Sequence, residues 1–301
     1  MRYAKPALTV DQQADQVLGR GLIADRDELI SRLSEVNYYR LSAYWHPFRQ
    51  QSIEALLPGT SLATVWDRYV FDRQLRLLVM DAVERVEVSV KTRATNLFSL
   101  KHGAFGYLDR ANFSRMSVGS HRKLLDTIRK EMGRSKEVFI QHYLRKYTSE
   151  TDLPLWIAVE IMSFGTVLTF FRSLEQYLKR DIADAYGIKA KVLESWLLSL
   201  NYIRNLCAHH GRLWNRTIPV RPLIPDAKHR PEFHVPVRVP PDQTFGILTM
   251  LNYLLGRIAP QSRWPSRLEH LWVSKHPNIP IEQIGFPTNW KDCPIWQRQE
   301  P

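Results

Sequence analysis

Cysteine is nearly absent, and proline is scarce over most of the chain. Two cysteines in 301 residues exclude a disulfide-stapled scaffold and fit a reducing compartment. Only Pro6, Pro47, Pro58 and Pro154 precede residue 217, while fourteen prolines follow it. The first two-thirds can therefore hold long helices, and the last third is expected to hold few. Long apolar runs are missing as well. The most apolar stretch, Leu155 to Phe171, contains Glu160 and is interrupted at Ser163-Phe164-Gly165, whereas a spanning helix wants about 20 apolar residues with few charges. Met1 to Gly21 carries Asp11 and Asp15 and lacks the apolar core of a signal peptide. These features imply a cytoplasmic protein with no membrane partner. No glycine-rich phosphate loop and no nucleophile elbow occurs. Cys207, His209 and His210 have only Cys293 as a further sulfur ligand and no C-x2-C half-site, so no metal site is expected.

What is abundant is positive charge. The 42 Lys and Arg outnumber 30 Asp and Glu, for a net charge of +12. From Arg110 to Lys146 ten basic residues face three acidic ones, and from Arg204 to Arg230 six face Asp226 alone. The rest of the chain is electrically balanced, so the whole excess sits in two segments and points to a polyanionic partner. The alternative is that both segments are solvated basic surfaces with no partner.

Apolar periodicity places the elements. Asp11–Leu18 and Arg26–Val36 read as short helices, with Asp25 a candidate N-cap of the second. From Leu62 to about Leu100, Leu75, Val79, Ala82, Val83, Val86, Val90, Ala94 and Leu97 recur at helical spacing. Further helical segments are Ser120–Tyr147, with Gly133 a candidate break, Leu155–Leu178, with Gly165 a bend or close-packing point, and Lys189–His210, capped by Gly211. The expected fold is all-α. It comprises an N-terminal helical extension (1–60), an up-and-down helical bundle (61–216) and a Pro-rich wrap (217–301) with one helix at 245–258.

The helix before Gly211 carries the chemistry. On a wheel starting at Leu193, Trp196, Leu197, Leu200, Ile203 and Cys207 form one apolar stripe, and Arg204 falls inside it at about 20°. A guanidinium there needs a carboxylate, a phosphate or a cleft. Asn205 and His209 lie on an adjoining face, at about 120° and 160°. Histidine can take a proton from a ribose 2′-hydroxyl or return one to a leaving oxygen, and arginine can stabilise charge on the phosphate. The plainer alternative is that Arg204 bonds a core carboxylate, His209 complements the helix C-terminus and Asn205 is solvated. Tyr38, Tyr39, Tyr44 and Trp45 can either stack unpaired bases or pack against the bundle.

The run Arg204-Asn205-Leu206-Cys207-Ala208-His209-His210-Gly211-Arg212-Leu213-Trp214-Asn215-Arg216 resembles the signature of the abortive-infection (Abi-like) family, whose core is a HEPN domain with an Arg-x4-6-His motif. Lys5-Pro6-Ala7-Leu8-Thr9, the segment Asn37–Tyr44, the segment Glu84–Arg93, Met162-Ser163-Phe164-Gly165 and Gly285–Trp290 resemble it too, in order. The resemblance implies Arg204 and His209 as a catalytic pair with Asn205 as polar companion, and Glu87 with Lys91 as supporting residues of a Glu-x3-Lys pattern. The plain alternative for Glu87 and Lys91 is an ion pair one helical turn apart. The resemblance also implies a homodimer with a composite site and an RNA substrate cleaved by its 2′-hydroxyl without metal or cofactor. An inhibitory RNA or protein partner is a further implication. The basic segments would then hold RNA through Arg122, Lys123, Arg129, Lys130, Arg212 and Arg216. A non-catalytic RNA-binding regulator, or an RNA-partnered interaction protein using the same basic face, is the alternative function.

Overall fold

The computed structural model describes residues 2, 4, 6–51 and 53–297; Lys5 and the C-terminal residues 298–301 lie outside the described residues. The architecture is all-α. Twelve α-helices, eight short 3-10 or π turns and two isolated bridges, Ile23 with Ser61 and Arg49 with Leu56, account for the regular structure among the described residues. In chain order the helices are α1 Val10–Gly19, α2 Arg26–Glu35, α3 Tyr38–Trp45, α4 Leu62–His102, α5 Val118–Arg134, α6 Val138–Lys146, α7 Leu155–Ala158, α8 Phe164–Ser173, α9 Gln176–Asp184, α10 Ala190–Ala208, α11 Thr244–Ile258 and α12 Trp264–His270. No described helix is long and apolar enough to cross a membrane.

Helix α4 is the spine. Its 41 residues extend about 60 Å at 1.5 Å per residue. Ser61 caps its start by accepting from the Thr64 N–H, no proline or glycine interrupts it, and Gly103 ends it at φ 78°. Leu75, Val79, Ala82, Val83, Val86, Val90 and Ala94 are all buried along one face, as their spacing requires. Each fully buried Val or Leu contributes roughly 1.5–3 kcal/mol. Helices α3, α7, α9, α10, α11 and α12 pack against this spine.

Two long helices expected from periodicity are broken. Ser120–Tyr147 becomes α5 and α6, parted at Ser135–Glu137 where the backbone turns extended, just past Gly133. Leu155–Leu178 becomes α7, α8 and α9. Its first break falls at Met162–Ser163, because Ser163 leaves the helix to accept the Thr166 N–H and so caps α8. Of the two roles expected of Gly165, it is a packing point and not a bend: it lies inside α8, where its bare Cα faces the Asn201 amide of α10.

The proline-rich end is less of a wrap than expected. Helix α11 is buried along almost its whole length and packs on α4. Periodicity missed α12, whose Pro265 sits in the first turn, where no backbone N–H is needed. The α12 residue Trp264 is fully buried and donates its indole N–H to the Leu78 carbonyl of α4 at 2.8 Å.

One ion pair fastens α5 to the loop before α7. Arg129 donates to both carboxylate oxygens of Asp152 at 2.8 and 3.0 Å. That guanidinium holds the Asp152 carboxyl below its ordinary value. A carboxyl depressed by folding stabilises the protein above about pH 4, and the contribution is lost as pH falls through the folded value. Asp152→Asn should therefore cost about 0.5–1 kcal/mol near neutral pH, at the modest end because Arg129 is half-exposed. Urea titrations at several pH values should show the gap from wild type shrinking as pH falls below about 4; a gap that stays constant across the acid range would refute this account.

Candidate functional site

Helix α10 ends in a tight left-handed turn. His209 is its last cap residue, and His210 takes φ 59°. The His210 N–H bonds the Cys207 carbonyl at 3.0 Å and the Gly211 N–H bonds the Leu206 carbonyl at 2.7 Å, the paired bonds of a Schellman motif. The left-handed conformation expected of Gly211 is taken by His210 instead. Gly211 serves a different need, since a Cβ there would collide with the Leu206 side chain.

A buried carboxylate holds the chain just beyond this turn. Asp72 of α4 has no exposed surface. It accepts from the Leu213 and Trp214 N–H groups at 3.0 and 2.7 Å, from the Tyr44 hydroxyl at 2.6 Å, and from the Arg76 guanidinium. Burial pushes the Asp72 carboxyl up, while Arg76, Tyr44 and the two N–H groups oppose it. The Tyr44 hydroxyl is pushed up by burial and by Asp72. Helix α3 adds two braces: Arg40 donates to the His210 carbonyl at 2.7 Å, and Arg212 donates to the Ala43 carbonyl. The Tyr44 ring stacks on Trp214.

This frame presents an exposed edge. His209 is exposed, and its ring has no partner among the described residues. Arg204 is half-buried and reaches the Asn205 Oδ1 at 3.5 Å. It meets no carboxylate among the described residues, so the alternative of a core ion pair does not hold. Cys207 faces inward, and burial pushes its thiol up to about 12, so it stays protonated at neutral pH. Among the described residues no three His, Cys, Asp or Glu side chains gather as metal ligands.

The other predicted residues separate. Glu87 and Lys91 pair with each other at 2.9 Å. They flank Ser89, whose hydroxyl meets Tyr186 just ahead of α10, whereas Cys207 lies within electrostatic reach of Asp72 and Arg76. The two helices thus run antiparallel, and Glu87 and Lys91 sit at the far end of α10 from His209. In the single chain they do not join the Arg204 edge. Of the basic residues, Arg122, Lys123 and Lys130 are exposed without partners among the described residues. Arg129 is held by Asp152, Arg212 by carbonyls of Ala43 and Asn215, and Arg216 by the Tyr202 hydroxyl. These last three have structural bonds that a purely RNA-binding assignment overlooks.

Residues 31–215 match the Abi-like protein family. The chain belongs to that family. Neither a curated protein nor a solved structure matches it. Membership places this Abi-like chain in abortive infection. The matched segment spans α3, α4 and α10 and stops at Asn215, within the turn that Asp72 holds.

Asp72, Arg76 and Tyr44 escape a reading of the Abi-like sequence by spacing alone, although a signal is there. On the α4 wheel Asp72 lies about 60° from Leu75, between Val79 at about 40° and Val83 at about 80°. A carboxylate on an apolar stripe demands buried donors. Asp72→Ala should strand Arg76 and cost about 3–5 kcal/mol. Hydrogen exchange should show the Leu213 and Trp214 amides losing protection before the centre of α4 does; unchanged protection at those two amides would contradict the anchoring role.

Proposed function

We propose that this Abi-like protein is a HEPN-type, metal-independent endoribonuclease and the toxic component of an anti-phage system. The observation that carries the reading is the exposed pairing of Arg204 with Asn205 beside an unpartnered His209, on a turn that the fold holds firmly. A guanidinium without a carboxylate is available to a phosphate. An imidazole with no partner is free to take a proton from a substrate hydroxyl.

His209 takes the proton of a ribose 2′-hydroxyl, and the 2′-oxygen attacks the adjacent phosphorus. The P–O bond to the 5′-oxygen breaks, and that oxygen leaves with a proton. The products are a 2′,3′-cyclic phosphate and a 5′-hydroxyl. Arg204 stabilises the charge on the phosphoryl oxygens, and Asn205 orients it. One chain offers one such histidine, while the displacement needs a base and an acid on opposite sides. A homodimer supplies both, the partner's His209 acting as the acid. Arg122, Lys123 and Lys130 offer the RNA backbone unneutralised charge. An inhibitory RNA or protein partner restrains the toxin before infection.

The test incubates the purified chain with total RNA in EDTA, beside Arg204→Ala and His209→Ala, and maps the termini. Cleavage should persist in EDTA, leave cyclic phosphate ends and fall by about 100-fold or more in His209→Ala. Loss of cleavage in EDTA, or equal activity in His209→Ala, would sink the mechanism. Retention of structured RNA without cleavage, with a steep salt dependence, would establish the regulator instead. A monomer by light scattering at micromolar concentration would contradict the composite site.

A further inference from the structure

A large cleft bordered by α3 has no part in the proposed cleavage chemistry. It measures about 890 Å³ and opens between the segment before α1, α1 itself, α3 and the loop before α4. That is within the size range of small-molecule sites. Its aromatic wall is Tyr38, Tyr39 and Trp45. Tyr38 meets Tyr39 and Trp45 edge-on, with centroids 6.0 and 5.4 Å apart. Arg20 fixes the Tyr38 ring by donating to its hydroxyl at 2.6 Å. Tyr39, by contrast, is 74% exposed. Gln16 and His46 line the same cleft, and neither side chain has a hydrogen-bond partner among the described residues.

The cleft adjoins a depression that reaches the turn after α10. Asn37 and Tyr39 also line a second depression of about 360 Å³, bordered by Arg40, His210 and Arg212. Arg40 touches the carbonyl of His210, the residue after His209. The guanidinium groups of Arg40 and Arg212 bond only carbonyls, so both keep their full charge. Around the larger cleft Arg20 and Arg49 share the single carboxylate of Glu54. A chain of phosphates crossing from His209 past Arg212 and Arg40 would meet positive charge throughout, and its bases would turn toward an exposed tyrosine face.

We infer that this cleft is a nucleobase-binding site: an unpaired base of the RNA, next to the scissile phosphate, stacks on Tyr39 and presents its edge to Gln16 and His46. The inference rests on the nuclease reading for the direction of the strand and extends it to single-stranded RNA with a base preference. Recognition of RNA sequence favours unstacked bases held on aromatic rings and read along their edges. One stacked base contributes about 5- to 160-fold in affinity.

The test uses the full-length chain carrying His209→Ala, so that RNA stays intact, with single-stranded RNA 12-mers that hold one 2-aminopurine at each position in turn. Binding should quench the fluorophore at one or two adjacent positions. Tyr39→Ala should abolish that quenching and weaken binding about tenfold, and Gln16→Glu, which sets a negative charge in the cleft from an exposed site on α1, should do the same. Circular dichroism and melting temperature should not change in either variant. Quenching that survives both variants, or an absence of binding by every 12-mer, overturns the cleft assignment. The two readings fail separately. A wild-type chain that cuts RNA while Tyr39→Ala binds normally retains the nuclease and loses the cleft, and one that never cuts but shows position-specific, Tyr39-dependent quenching keeps the cleft and loses the nuclease.

Discussion

A single buried carboxylate organises the region around the turn after α10. Asp72 sits in the middle of an apolar helix face with no contact to water, an arrangement tolerable only when its lone pairs are met. It is met by a tyrosine from α3, an arginine from its own helix and two backbone N–H groups from the turn after α10. Three elements distant in sequence are thereby tied to one point. The cost of leaving any donor out couples them, so the turn that bears His209 cannot drift from the spine without exposing a buried charge.

That constraint explains why a short, exposed edge keeps a fixed backbone. His209 and Arg204 lie where α10 ends, and a helix end is ordinarily a place of fraying. Here the Schellman bonds, the Arg40 brace and the Asp72 anchor fix the backbone while the His209 ring and the Arg204 guanidinium stay open to a ligand. Rigid backbone beneath uncommitted side chains is what a preorganised site requires. The aromatic cleft beside it arises from the same packing, because α3 supplies both the brace on His210 and the exposed Tyr39.

Much of the fold could be read from residue spacing. The α4 stripe, the Asp25 cap and the end of α10 near His209 depend on short-range rules, namely a 3.6-residue period and a side chain reaching the next turn. The misread elements involve competition between local and tertiary effects. Ser163 caps a new helix where apolar content favours continuing the old one. Pro265 begins a helix instead of forbidding one. Arg129, Arg212 and Arg216 look like free basic charge along the chain, yet Asp152, the Ala43 carbonyl and the Tyr202 hydroxyl lie beside them in the fold.

The sequence by itself determined the all-α class, the two basic segments and the spacing of Arg204, Asn205 and His209, because composition and helical period are properties of contiguous residues. Only the tertiary structure decided that Arg204 has no carboxylate partner among the described residues, that Glu87 and Lys91 pair at the opposite end of α10, and that Asp72 lies under the turn. Each of these turns on which residues, far apart along the chain, burial forces together. No local pattern encodes that, since the free energy that selects the partner comes from desolvation in the assembled core.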